Sequence, residues 1–189
     1  MLPFHSATSN AGRFLISRGL IWTFFTAIYL WALKIERVSF LLLDERRYTF
    51  DFYIIWIVVL LASNYVIAGI ISTPLNNLHW NNSQQQVLKL YHLPPTLKLF
   101  GVITASITEE LIFRGYLIPR IQLFFEDARY GIVLSALAFS LGHLGYGTMG
   151  YILYTLAFGI LFGWHYQKYR NIKILIACHF LLDYYLLLF

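Results

Sequence analysis

From Tyr130 to Gln167 the chain carries no Asp, Glu, Lys or Arg. That stretch is too long for one membrane crossing, which needs about 20 residues. Gly142, Gly145, Gly147 and Gly150 interrupt it near the middle. It therefore divides into two spans, about 130–145 and 149–167. Phe52 to Thr73 is a second uncharged run, closed by Pro74, and is long enough to cross about 30 Å of hydrocarbon alone.

Composition supports the membrane reading. Hydrophobic residues make up 59% of the chain and charged residues only 12%, with a mean hydropathy of +0.63. A soluble domain carries about 25% charged residues. Three further spans complete an all-α, polytopic bundle of about six transmembrane helices: Phe14 to Leu33, Leu97 to about Arg120, and Ile174 to Phe189. Arg18 lies near one end of the first, where it can snorkel. Residues 1–12 are polar and read as disordered or interfacial. No small-x-small cleavage site follows the first run, so it reads as a retained helix.

The connections are polar or charged. Lys34 to Asp51 holds Arg46-Arg47 and a short apolar piece, Val38 to Leu43. Leu75 to Thr96 is a long polar loop, with a short surface helix expected over Gln86 to Tyr91. Asn81-Asn82-Ser83 in that loop fits a glycosylation sequon, a match common by chance. Phe124 to Arg129 and Lys168 to Lys173 are charged turns. The division is an N-terminal part, 1–96, of transmembrane helices and polar loop, and a helical core, 97–189, within one compact membrane domain.

The net charge of +5 concerns orientation, not nucleic acid. With six spans, one side holds Arg13, Arg18, Lys89 and Lys98, and the other holds the remaining ten Lys and Arg. The positive-inside rule then places both termini outside the cytoplasm. Cys178 is the only cysteine, so no internal disulfide forms.

Against this apolar background stands Thr108-Glu109-Glu110-Leu111-Ile112-Phe113-Arg114-Gly115. A charge inside hydrocarbon costs roughly 2.5–3.5 kcal/mol on insertion scales and is a functional-site hypothesis by default. Glu110 and Arg114 are four apart, share a helical face, and form a pair in the favoured order. Glu109 points about 100° away and has no partner in Arg114. A carboxylate so placed beside a cavity is a candidate general base. A structural ion pair with a second, cavity-facing Glu explains the same residues equally well.

The fourth span adds Phe139-Ser-Leu-Gly-His143, and the sixth adds His179-Phe-Leu-Leu-Asp183. Taken singly, each reads more simply as core packing or a structural hydrogen bond. Together they must face one another or water. The third, fourth and sixth spans are therefore expected to enclose one polar cavity holding Glu109, Glu110, Arg114, His143, His179 and Asp183. Such a set suits activation of a water for attack on a carbonyl. Cys178 points elsewhere on its helix and is not the nucleophile expected.

Glu109-Glu110-x-x-x-Arg114, Phe139-x-x-x-His143 and His179-x-x-x-Asp183 resemble, in type and order, the motifs of the CPBP family of intramembrane proteases. This is the family of the CAAX prenyl endopeptidases and of bacteriocin-processing and self-immunity proteins. The resemblance covers about residues 97–187. It implies that Glu109 activates water with help from His143. It implies that His179 and Asp183 stabilise the oxyanion, and that Glu110 and Arg114 hold the site's geometry. Similar CAAX endopeptidases have Asn where this chain has Asp183, and an ionised Asp cannot donate a hydrogen bond. Asp183 is then either protonated or an orienter of His179. A divalent metal such as zinc is left open, with Glu109, His143 and His179 as its ligands, although the soluble His-Glu-x-x-His signature is absent.

The expected function is thus an intramembrane endopeptidase, of glutamic or metallo type, acting on a membrane-associated protein or peptide. The expected place is a bacterial cytoplasmic membrane, multi-pass, with the lipid bilayer as surroundings and no nucleic-acid partner. A non-catalytic membrane immunity or partner protein is the alternative. A proton-coupled carrier is disfavoured by the small size and lack of repeats.

Overall fold

The computed structural model describes residues 4–77, 93–125, 127–146 and 148–188. The sequon and the surface helix expected over Gln86 to Tyr91 lie outside these residues. Among the described residues the fold is all helix, in six rods. The first rod is α1 (Phe4–Trp31), which continues as a short π-helical turn, Ala32–Glu36. The second is α2 (Phe50–Asn77). The third is composite: α3 (Pro95–Glu109), a π-helical stretch Glu110–Leu117, and α4 (Ile118–Gln122). Then follow α5 (Ala128–Gly142), α6 (Met149–Tyr169) and α7 (Ile172–Leu188).

Three corrections to the sequence reading concern the ends of elements. α2 runs through Pro74 to Asn77, so the proline does not close it. Residues 4–12 are helical and extend α1, instead of forming a disordered tail. Their polarity suits a helix end that projects past the hydrocarbon. The fourth span is also shorter than 130–145, because α5 stops at Gly142. Its 15 residues span about 22 Å, less than the ~30 Å core of a bilayer.

Local chemistry fixes the helix boundaries. Asp127 caps α5 by accepting from the Arg129 N–H at 2.8 Å, and Thr148 caps α6 by accepting from the Tyr151 N–H at 3.2 Å. Arg170 ends α6 in the left-handed region, φ 48°, and Asn171 Oδ1 then accepts from the Ile174 N–H at 3.2 Å to start α7.

α5 and α6 pack along each other, α3 packs on α7, and α2 covers both α6 and α7. Lipid is as apolar as leucine, so these contacts form through close approach of small residues and through polar bonds. A Cβ on Gly159 of α6 would lie 2.8 Å from Ala136 Cβ and 2.9 Å from its Cα. Ser140 donates to the Ile152 carbonyl at 2.7 Å across the same interface. By contrast α1 touches mainly α3, where Trp22 Nε1 donates to Thr104 Oγ1 at 3.2 Å. Its apolar window has no residue buried in the protein. α1 and α2 are each long and apolar enough to cross a membrane.

Glu36 and the 37–49 segment that follows it staple the base of the bundle. Glu36 binds Arg120 at 2.8 Å and accepts from the Tyr116 hydroxyl at 2.8 Å. Glu45 accepts from the Tyr166 hydroxyl at 3.0 Å and from the Ile172 N–H at 2.8 Å. The Asn171 amide donates to the Arg46 carbonyl and to Tyr53 Oη, both at 2.8 Å. These bonds hold the lower part of the third rod, α6 and α7 in a fixed relation around the site.

Candidate active site

Glu109 is the last residue of α3 and Glu110 the first of the π-helical stretch. π-helical turns occur mostly as local insertions at functional sites. Here the stretch is pinned from outside: the Phe113 carbonyl accepts from the Ile118 N–H, five residues on, and from Ser135 Oγ of α5 at 2.7 Å.

Glu110 faces inward and is fully buried, as is Arg114. Arg114 Nη1 donates to Glu110 Oε1 at 2.8 Å. The same oxygen accepts from His179 Nδ1 of α7, also at 2.8 Å. The guanidinium lies over the ring of Phe139, 4.5 Å from its centroid, with Phe158 and Phe162 at 5.2 and 5.5 Å. Removing two ions from water costs several kcal/mol each. The ion pair, the histidine bond and the aromatic faces together offset that cost.

Because a carboxylate only accepts, the bond to Glu110 fixes the proton of His179 on Nδ1. Nε2 is the nitrogen left facing the cavity, 3.5 Å from Asp183 Oδ2 and 4.0 Å from Glu109 Oε2. His143 caps α5, and its Nδ1 lies 2.8 Å from the Phe139 carbonyl. A carbonyl also only accepts, so Nδ1 again carries the proton and Nε2 is the remaining basic atom. The early end of α5 is what brings His143 to this depth.

Glu109, His143, His179 and Asp183 all line one cavity of about 350 Å³. Glu110 and Arg114 stand behind it, outside the lining. The structure therefore brings together all six residues singled out in sequence, in two layers.

The third, fourth and sixth spans enclose the cavity, but two further helices line it as well. α6 contributes Tyr151, Tyr154, Thr155 and Phe158, and α1 contributes Arg18, Ile21 and Phe24. The α6 residues fall at i, i+3, i+4 and i+7, one helical face, and that spacing was the available signal. Uncharged hydroxyls in an aromatic-rich span do not stand out without it. Arg18 reads as a snorkelling end residue in sequence, but its side chain lines the cavity.

Glu109, His143 and His179 border the cavity, yet among the described residues no three His, Cys, Asp or Glu side chains are arranged to hold a metal ion. As placed, these groups do not fit a zinc site with three protein ligands. In their present contacts these groups are arranged for proton transfer and hydrogen bonding.

A family described as type II CAAX prenyl endopeptidase Rce1-like matches residues 92–185. Residues 92–185 belong to that Rce1-like family. The match takes in α3 to α7 almost entire, hence every motif of the site, and leaves α1 and α2 outside. No curated protein and no solved structure matches the chain. Membership makes this a helical integral membrane protein and a CAAX-type intramembrane protease, whose substrate is a peptide or protein in a membrane.

Proposed function

We propose that the Rce1-like core hydrolyses a peptide bond in a membrane-associated protein or peptide by a glutamate-activated water. One observation carries this reading. Glu109 Oε2 and His179 Nε2 face the same cavity 4.0 Å apart, while a second carboxylate, Glu110, is consumed by Arg114 and His179 behind them. A water bridging Glu109 and the histidine at hydrogen-bond distance from each, about 2.8 Å, fits that separation.

In this reading Glu109 takes a proton from the water as its oxygen attacks the carbonyl carbon. The carbonyl π electrons move to oxygen, and the oxyanion is met by His179 Nε2–H. That donation requires the imidazolium, since Nδ1–H already serves Glu110. Asp183, beside Nε2, orients the ring. His143 Nε2 accepts a hydrogen bond from the water and positions it. The intermediate collapses with cleavage of the C–N bond, and Glu109 returns its proton to the leaving nitrogen. The products are a carboxyl terminus and a free amine.

We further place the protein in a bacterial cytoplasmic membrane as a multi-pass chain with both termini outside. The test of the function is processing of co-expressed tagged membrane peptides. Glu109→Gln should be inserted and folded but inactive, since an amide cannot accept the water's proton. Unchanged processing by that variant would sink the mechanism.

A further inference from the structure

α2 lies outside the family-matched residues, yet it turns one buried amide into the bundle. Asn64 is 1% exposed. A buried amide needs hydrogen-bond partners at both of its ends. Nδ2 donates to the Leu60 carbonyl, one turn back on α2, at 2.8 Å. A carbonyl only accepts, so this bond fixes which way the amide faces. Oδ1 is thereby presented to α6, where the Tyr154 hydroxyl donates to it across 3.4 Å.

Tyr154 stands in the cavity wall, and the proposed hydrolysis gives it no part. Its hydroxyl has one proton and two lone pairs. Asn64 Oδ1 only accepts, so the proton goes there. The Asp183 carboxylate, also in the wall, acts on the same hydroxyl, and as an ion it too only accepts. Both neighbours draw the proton of Tyr154 onto the protein. The oxygen can then meet a ligand only as an acceptor.

A peptide offers a matching donor at nearly every residue, its backbone N–H. At about 350 Å³ the cavity takes a few residues of extended chain, so any N–H inside it lies close to the bond under attack. An N–H taken out of water without an acceptor weakens binding. The two wall carboxylates already have duties, Glu109 toward the water and Asp183 toward His179. Tyr154 Oη is a neutral acceptor with neither duty.

We propose that Asn64 aims the Tyr154 hydroxyl so that its oxygen accepts a hydrogen bond from a backbone N–H of the substrate beside the scissile bond. This rests on the hydrolytic reading of the same cavity and adds how the peptide is held in it. Tyr154 touches the substrate and sets where its strand lies. Asn64 acts through Tyr154 and is a positioning residue. α2 thus contributes to a site whose motifs all lie on other helices.

The test uses the whole chain in detergent micelles. Mixed-sequence hydrophobic octapeptides are screened for cleavage by mass spectrometry. One that is cut is remade with an ester in place of each amide in turn, the scissile bond excepted. An ester deletes one N–H and keeps the length of the chain. One ester should raise KM about three- to tenfold with kcat little changed, as the loss of a single hydrogen bond does. Tyr154→Phe should raise the KM of the all-amide peptide as much and should no longer distinguish that ester. Asn64→Leu should do the same, with no further rise when the two substitutions are combined. Asn64→Asp, whose protonated carboxyl can bond both Leu60 and Tyr154, should restore part of the discrimination. Side chains that serve packing alone would change stability and leave the ester pattern as it was. A chain with no ester-sensitive position overturns the proposal whether or not any variant folds. So does a position that stays sensitive in Tyr154→Phe, and so do additive effects of the two substitutions. If no peptide is cut, the esters are made on the peptide that binds Glu109→Gln most tightly and are read by binding. Ester-selective binding then keeps the Tyr154 contact and sinks the hydrolytic reading, and unselective binding overturns the contact as well.

Discussion

His179 Nδ1 donates to Glu110 Oε1 across 2.8 Å, tying α7 to the π-helical stretch of the third rod. The bond decides which nitrogen of His179 meets the cavity. It also separates two carboxylates that are neighbours in sequence. Glu110 is fully buried and spends its charge on Arg114 and His179. Glu109 is left at the cavity wall.

The two glutamates should therefore fail differently. Glu110→Ala leaves Arg114 buried without its counter-charge, and breaking a buried pair in this way costs about 3–5 kcal/mol. A large fall in detergent melting temperature is expected, together with lost processing. Glu109→Gln keeps the volume and hydrogen-bonding shape, so its melting temperature should stay close to the parent's while the rate falls by about 10²–10⁴. Equal destabilisation by the two would mean that both are structural.

Asp183 provides a second test. Its Oδ2 lies 3.5 Å from His179 Nε2, beyond the ordinary hydrogen-bond range, and it lines the cavity. If it orients His179 and touches the oxyanion only indirectly, Asp183→Asn should retain processing within about tenfold. Asp183→Ala should cost more, up to the 10²–10³ of a lost oxyanion-hole component. An Asn variant as inactive as the Ala variant would show that the carboxylate's charge itself is required.

Much of this site was legible in sequence because intramembrane charge is rare enough to stand out. Glu110 and Arg114 four apart, and His179 and Asp183 four apart, declare shared faces without any tertiary information. What sequence did not give was the choice of partners. His179 turns toward Glu110 on another rod, and no spacing rule links positions 69 apart. The π-helical insertion was equally hidden, since its pinning bond from Ser135 to the Phe113 carbonyl is tertiary. Arg18 and the α6 tyrosines were missed because an end arginine and an aromatic-rich span are ordinary in membrane helices. Glu45 and Glu36, in a charged loop, gave no sign of capping and pairing with distant helix ends.

Glu45 lies half-buried in that loop, and burial raises its carboxyl above the ordinary 4.5, against the Ile172 N–H, the Tyr166 hydroxyl and the charge of Lys173. A carboxyl raised on folding favours the folded state when protonated. Its contribution is full below about 4.5 and is lost as pH rises through the higher folded value. Glu45→Gln removes the titration and keeps one acceptor oxygen, enough for the Ile172 N–H, while its amide N–H can donate to the Tyr166 hydroxyl. The melting temperature of the parent minus that of Glu45→Gln should thus be most positive in acid and should decline as pH climbs from about 4.5. A difference that grows with pH would reverse the sign assigned to this burial.

Chelation addresses the metal left open by the sequence. Among the described residues no three His, Cys, Asp or Glu side chains are arranged to hold a metal ion, although His143 and His179 each keep Nε2 toward the cavity. Exhaustive dialysis against EDTA, followed by assay in metal-free buffer, should leave processing within about twofold of the untreated protein, well under the loss expected when a catalytic metal is stripped. Loss restored by zinc would show that the cavity rearranges to bind an ion.

Gly159 tests whether the two walls of the cavity must touch. An added Cβ meets Ala136 Cβ at 2.8 Å and Cα at 2.9 Å, so α5 and α6 would have to move apart. Overpacking of this kind costs about 1–3 kcal/mol. At Gly163, one turn on, the nearest atoms are Ile132 Cγ2 at 3.0 Å and Ile118 Cδ1 at 3.2 Å, side-chain methyls that need to give by only a few tenths of an ångström, roughly. Gly159→Ala should therefore lower the detergent melting temperature more than Gly163→Ala. It should also reduce processing, because His143 rides on the end of α5 and Tyr154 and Thr155 ride on α6. Pairing Gly159→Ala with Ala136→Gly removes the Cβ contact but leaves the 2.9 Å approach to the Cα, so partial recovery of stability and processing in the double variant is expected and would locate the effect at this helix crossing.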